Sequence, residues 1–155
     1  MRDSVTVHMA ATPEEIWPLV SDVVTNARRF AAETFDAEWL DGATGPAVGV
    51  RFRGHVKRNG WRWATYWSTC TIDVCAPGEE FAFTVAVGGV RLNTWRYRLV
   101  RRGDGAGTDV TESFELAGLA PLRLYWAALG RLRGKTNVEN MRTTLERIKA
   151  AVEAG

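Results

Sequence analysis

Apolar and polar residues alternate with a period of two over seven stretches of the chain, the spacing of strands with one buried face. In the first, residues 3–10, Val5, Val7 and Met9 lie opposite Ser4, Thr6 and His8. Thr12-Pro13-Glu14-Glu15 then reads as a helix start. Threonine caps, proline occupies the first helical position, and the acids sit at the positive end of the helix dipole. Ile16, Trp17, Leu19 and Val20 give this helix its apolar face, and Pro18 keeps it short or kinked. Ser21-Asp22 can cap a second short helix ending near Phe30.

Strands follow. Residues 34–41 set Phe35, Ala37 and Trp39 against Thr34, Asp36 and Glu38, and Asp41 to Pro46 form a turn. In 48–57, Val48, Val50, Phe52, Gly54 and Val56 face one way and Arg51, Arg53, His55 and Lys57 the other. Asn59-Gly60 is a hairpin signal. The next strand, 61–75, turns Cys70, Ile72 and Val74 inward. Carried back unbroken, that phase leaves Trp61, Trp63 and Trp67 in solvent, so a bulge near Ser68–Thr69 is expected to bring them inside.

Pro77-Gly78-Glu79-Glu80 is a further turn. Phe81, Phe83, Val85 and Val87 then alternate, and Gly88-Gly89 reverses the chain into 91–101, where Asn93, Trp95, Tyr97 and Leu99 share a face. The last strand, 108–116, puts Glu112 among Val110, Phe114 and Leu116. From Pro121 to about Glu153 a helix is predicted. Val138, Met141, Leu145, Ile148 and Val152 make its apolar stripe. Gly130 and Gly134 each cost about 1 kcal/mol against alanine, which predicts a bend or break in its first half.

The order is strand, two short helices, six strands, long helix, and 155 residues suit one α+β domain spanning 1–155. Short turns between successive strands imply an antiparallel sheet, and only the last helix is large enough to cover its apolar face. A strongly curved sheet gripping one helix does not collapse fully onto it, so a cavity between them is expected.

Composition changes this picture little. Twenty Lys plus Arg against eighteen Asp plus Glu leave +2, too balanced to imply an electrostatic partner, and the basic set is nearly all arginine. No run approaches the ~20 apolar residues of a membrane helix, and Met1 to Val5 show no leader, so a cytoplasmic location is expected. Cys70 and Cys75, five apart on one extended strand, lie ~16 Å apart on opposite faces and cannot pair. With only His8 and His55 besides, metal-ligand spacing is absent, and neither a metal nor a cofactor is expected. The stripe of Arg51, Arg53, His55 and Lys57 could suggest single-stranded nucleic acid. At +2 overall, with acids such as Asp73 and Asp109 sharing the surface, a solvated face is the better reading and no nucleic-acid partner is expected.

Several segments, in order, resemble the START-like (SRPBCC, helix-grip) superfamily, and in particular its bacterial polyketide cyclase/dehydratase and lipid-transport branch. They are Ala11 to Trp17, Pro46 to Gly54, Pro77 to Phe83, Trp95-Arg96-Tyr97, Gly107 to Ser113 and Met141 to Lys149. The resemblance spans nearly the whole chain. It implies a seven-stranded curved antiparallel sheet wrapped around a long C-terminal helix, with two short helices between the first and second strands. Members of the superfamily include lipid carriers, hormone receptors, chaperone activators and aromatase/cyclases, so fold alone does not fix function.

With these phases the cavity is lined by Phe52, Trp63, Trp67, Phe83, Asn93, Trp95, Tyr97, Glu112 and Phe114, with Trp126 and Met141 from the long helix. Seven tryptophans with few polar anchors suit a site for a hydrophobic or aromatic small molecule, lipid or polyketide-like. Glu112 is costly there unless paired, hydrogen-bonded or protonated. It either fixes the sheet through Tyr97, Asn93 or an inward arginine, or holds a polar group of the ligand, or moves a proton. The leading expectation is binding or carrying. The alternatives are a cyclase/aromatase-type enzyme with Glu112 as acid/base, and an interaction module with a filled core.

Overall fold

The computed structural model describes residues 2–57, 65–118 and 120–155, with side chains described throughout these except at 120–123 and 125–134. The elements are β1 (Arg2–Met9), α1 (Pro13–Ser21), α2 (Val23–Arg29), β2 (Thr34–Trp39), β3 (Arg51–Lys57), β4 (Thr65–Ala76), β5 (Glu80–Val87), β6 (Val90–Arg101), β7 (Thr108–Leu116) and α3 (Ala120–Glu153). The strands form one curved, open antiparallel sheet in the order β1-β7-β6-β5-β4-β3-β2. Its inner face carries α3, and α1 and α2 fill the connection from β1 to β2.

Local chemistry fixes the helix starts as the sequence predicts. The Thr12 side chain accepts from the Glu15 backbone N–H while Glu15 accepts from that of Thr12, a reciprocal cap that satisfies two otherwise unpaired donors. Asp22 ends α1 and starts α2, accepting from the Val24 N–H at 3.2 Å. At the far end of α2 the Arg147 guanidinium, reaching across from α3, donates to the carbonyls of Phe30 and Ala31, each at 3.2 Å. These carbonyls have no partner within the helix, so the arginine ties two elements distant in sequence.

The predicted stripe of α3 is the covering surface. Met141, Leu145 and Ile148 are fully buried, while Val138 and Val152 pack at its margins. Each full burial contributes about 1.5–3 kcal/mol. The helix runs unbroken through Gly130 and Gly134, so of the expected bend or break the break is absent. The propensity cost of two glycines is small against propagation of a helix of 34 residues.

Within the observed strands the phases hold except where bulges intervene, whose positions differ from expectation; Val48, expected inside with Phe52, precedes β3 and is 65% exposed. β3 and β4 pair without interruption from Arg51↔Thr71 to Lys57↔Thr65, so there is no bulge at Ser68–Thr69. Instead the register shifts between Ile72 and Val74, leaving Asp73 as the extra residue, between Thr34 and Asp36, leaving Phe35, and between Val85 and Ala86, where β6 carries Leu92 as the extra residue. The first shift pairs Val74 with Ala82 and Cys75 with Phe81, so Cys75, and not Val74 as expected, shares the inner face with Cys70. Both thiols are free. Phe35 likewise turns outward instead of joining Ala37. The Asn59-Gly60 hairpin signal lies outside the described residues, whereas Gly88-Gly89, with φ of 58° and 79°, makes the two-residue reversal between β5 and β6.

Candidate functional site

The inner face is not solidly packed. A cavity of about 160 Å³ lies between β2–β7, α2 and α3. Phe52, Phe81, Phe83, Trp95 and Phe114, with Tyr66 and Tyr97, supply the aromatic part of its wall, and Val20, Val23 and Met141 are among its aliphatic residues. The rings meet edge-on or tilted. Phe52 and Phe83 centroids are 5.1 Å apart, and those of Trp95 and Phe114 are 5.0 Å apart. Gly54 opens the β3 side, because a Cβ there would sit 3.2 Å from the Thr34 methyl and 3.5 Å from the Ser68 hydroxyl.

Glu112 sits in this wall, 4% exposed. Its neighbour across the β6–β7 ladder is Tyr97, whose hydroxyl donates to Glu112 Oε1 at 2.9 Å. Burial pushes the carboxyl pKa up to about 8, with the tyrosine bond opposing the rise. At neutral pH Glu112 is therefore mainly a neutral acid. Burial and the adjoining carboxyl push the Tyr97 phenol well above its ordinary value, so it stays protonated. Neither an arginine nor Asn93 bonds Glu112 among the described residues. Oε2 of Glu112, Oδ1 of Asn93 and Nδ2 of Asn137 are buried polar atoms without a hydrogen-bond partner among them, and all three residues line the cavity.

No group of three or more His, Cys, Asp or Glu among the described residues could hold a metal ion. Cys70 reaches the wall as an inert thiol, its pKa pushed up to about 12 by burial. The chemistry available is hydrogen bonding and proton transfer at Glu112 within an aromatic shell.

The family described as polyketide cyclase/dehydrase and lipid transport matches residues 2–153. The chain belongs to this family. Solved structures share the fold at low identity. A protein of unknown function from Staphylococcus aureus superposes with a TM-score of 0.70 at 9% identity, covering 99% of this chain and 94% of that one. A Deinococcus radiodurans protein gives 0.69 at 17%, covering 100% and 98%. A polyketide-cyclase-like protein from Corynebacterium glutamicum gives 0.65 at 22%, covering 98% and 91%. No curated protein matches the sequence. Among the described residues no helix is long and apolar enough to cross a membrane.

Of the residues the sequence assigned to the cavity of this family member, Phe52, Phe83, Asn93, Trp95, Tyr97, Glu112, Phe114 and Met141 do line it. Trp67 does not. Without the expected bulge it keeps the outward phase, 40% exposed, with its ring stacked on His55 at 4.3 Å and the Arg53 guanidinium 4.5 Å from its centroid. These two contacts partly shelter the indole and weaken the reason for turning it inward. Trp61 and Trp63 lie outside the described residues, as does the side chain of Trp126. Sequence reasoning missed Asn26, Ser68, Asn137, Asn140 and Thr144, all polar lining residues. A signal for two of them was present, since Asn137 and Thr144 stand four before and three after Met141, on the buried side of the same stripe.

The outer basic stripe is largely matched, by partners other than those expected. Arg51 forks onto Asp41 at 2.9 and 3.0 Å, and Arg53 pairs with Glu38. Asp73 instead accepts from Thr84, and Asp109 faces His8 at 3.0 Å. Lys57 lies 4.9 Å from the Phe35 ring, which in turn packs on His55.

Proposed function

We propose that the chain binds or carries an apolar or aromatic small molecule in the cavity between sheet and α3. The observation that carries this reading is Oε2 of Glu112, a buried acid oxygen left unpartnered in an aromatic wall. Such an atom is costly unless something from outside completes its hydrogen bonding. The family's lipid-transport description agrees with a passenger molecule. Native mass spectrometry of freshly purified protein tests it, with a co-purified small molecule expected. Repeated absence of any, together with no uptake of apolar probes, would overturn it.

A second reading, cyclase/aromatase-type catalysis on a polyketide-like substrate, is favoured by the pKa of Glu112 near 8. A carboxylic acid poised there could protonate a departing hydroxyl, releasing water, and the carboxylate left behind, steadied by Tyr97, could take the proton from the adjacent carbon as the double bond forms, with Asn93 positioning substrate. Glu112→Gln separates the readings. A carrier keeps affinity within a few-fold, whereas a cyclase still binds but loses turnover by the ~10²–10⁴-fold typical of a removed acid or base.

A further inference from the structure

We infer that the cavity is built for a compact, uncharged ring compound carrying hydroxyl and carbonyl groups at opposite ends, and not for a fatty acid or another anion. This rests on the binding reading above and narrows it to a ligand class. Size, charge and the unpartnered atoms each point there separately.

The volume is about 160 Å³. An engineered cavity of about 150 Å³ holds one benzene, so a sixteen-carbon acyl chain needs nearly three times that space. One substituted ring is what fits. The described wall also holds no Lys, Arg or His. Its two acidic side chains, Glu33 and Glu112, offer an anionic ligand no countercharge, and an unpaired ion in a dry site is costly. With burial keeping Glu112 mainly neutral near pH 7, a cationic ligand gains little from it either.

The unpartnered atoms then dictate the polar groups. Asn93 Oδ1 can only accept, so it requires a ligand donor, and Asn137 Nδ2 can only donate, so it requires an acceptor. The protonated Oε2 of Glu112 can donate to a carbonyl oxygen. Asn93 lies four residues along β6 from Tyr97, the ladder partner of Glu112, which places these two polar sites ~13 Å apart at the backbone. Trp95 projects between them from the same face. A ring substituted at opposite ends, with a hydrogen bond at each, spans a gap of about that length.

The probes are benzene, 4-hydroxyacetophenone, its methyl ether and 4-hydroxybenzoate. Binding to the full chain at pH 7 is measured by calorimetry and by the shift of the Met141 methyl resonance. 4-Hydroxyacetophenone is expected to bind at least tenfold more tightly than benzene, the methyl ether or the carboxylate. In Asn93→Leu and Asn137→Leu, each checked for folding by its methyl spectrum, its preference over benzene should fall at least tenfold. Equal affinity for the methyl ether, or tighter binding of 4-hydroxybenzoate, overturns the proposed ligand class. Binding of benzene with no gain from the polar groups also overturns it while leaving the cavity-binding reading intact. Failure of all four probes to bind overturns both.

Discussion

The two faces of the same sheet treat polarity in opposite ways. Outside, Arg51 has Asp41, Arg53 has Glu38, Arg96 and Arg98 share Glu80, and His8 has Asp109. Inside, Glu112, Asn93 and Asn137 each keep a buried atom without a partner. Exposed pairs are individually worth ~0–1 kcal/mol, because water already solvates both members. The inner groups have no water-like surroundings to fall back on, so each unmet bond costs more than a whole outer pair contributes. Polarity is therefore nearly free of cost on the outer face and costly on the inner one.

Substitutions can break this contrast in order of expected size. Phe81→Ala, which empties a fully buried aromatic position of the inner wall, should lower unfolding free energy by about 3–5 kcal/mol in urea titrations. The next effect is in pH. Because the folded-state pKa of Glu112 is raised from 4.5 to about 8, the folded protein holds a proton that the unfolded chain releases. Its contribution is complete below about pH 4.5 and is lost as pH rises through 8, with a steepest slope approaching about 1.4 kcal/mol per pH unit. Denaturation midpoints from pH 5 to 8 should show that decline, and Glu112→Gln should flatten it. The smallest change is Trp67→Ala on the outer face, which removes a ring stack worth about 0.5–1.5 kcal/mol and should leave ligand binding untouched.

Much of this architecture was legible in the order of residues. Thr12-Pro13-Glu14-Glu15 gives a helix start because every atom of that cap lies within four residues, and β7 displays Glu112 inside because no bulge interrupts it. Bulges were not legible. Whether Phe35, Ser68 or Asp73 takes the extra place depends on the neighbouring strand's register, which no local pattern encodes. Trp67 was misplaced for the same reason. Its hydrophobicity argued for the interior, while the His55 ring and Arg53 cation that shelter it come from another strand. Asn137 was overlooked because an amide on a helix ordinarily marks the wet side, even when its spacing from Met141 says otherwise.

Gly54 gives the cavity an adjustment independent of its hydrogen-bonding groups. A single methyl added there would press on Thr34 at 3.2 Å and take up room on the β3 side. Cavity size and cavity polarity are thus governed by different residues, and a relative of this protein could widen or narrow the space while Glu112, Asn93 and Asn137 stayed as they are.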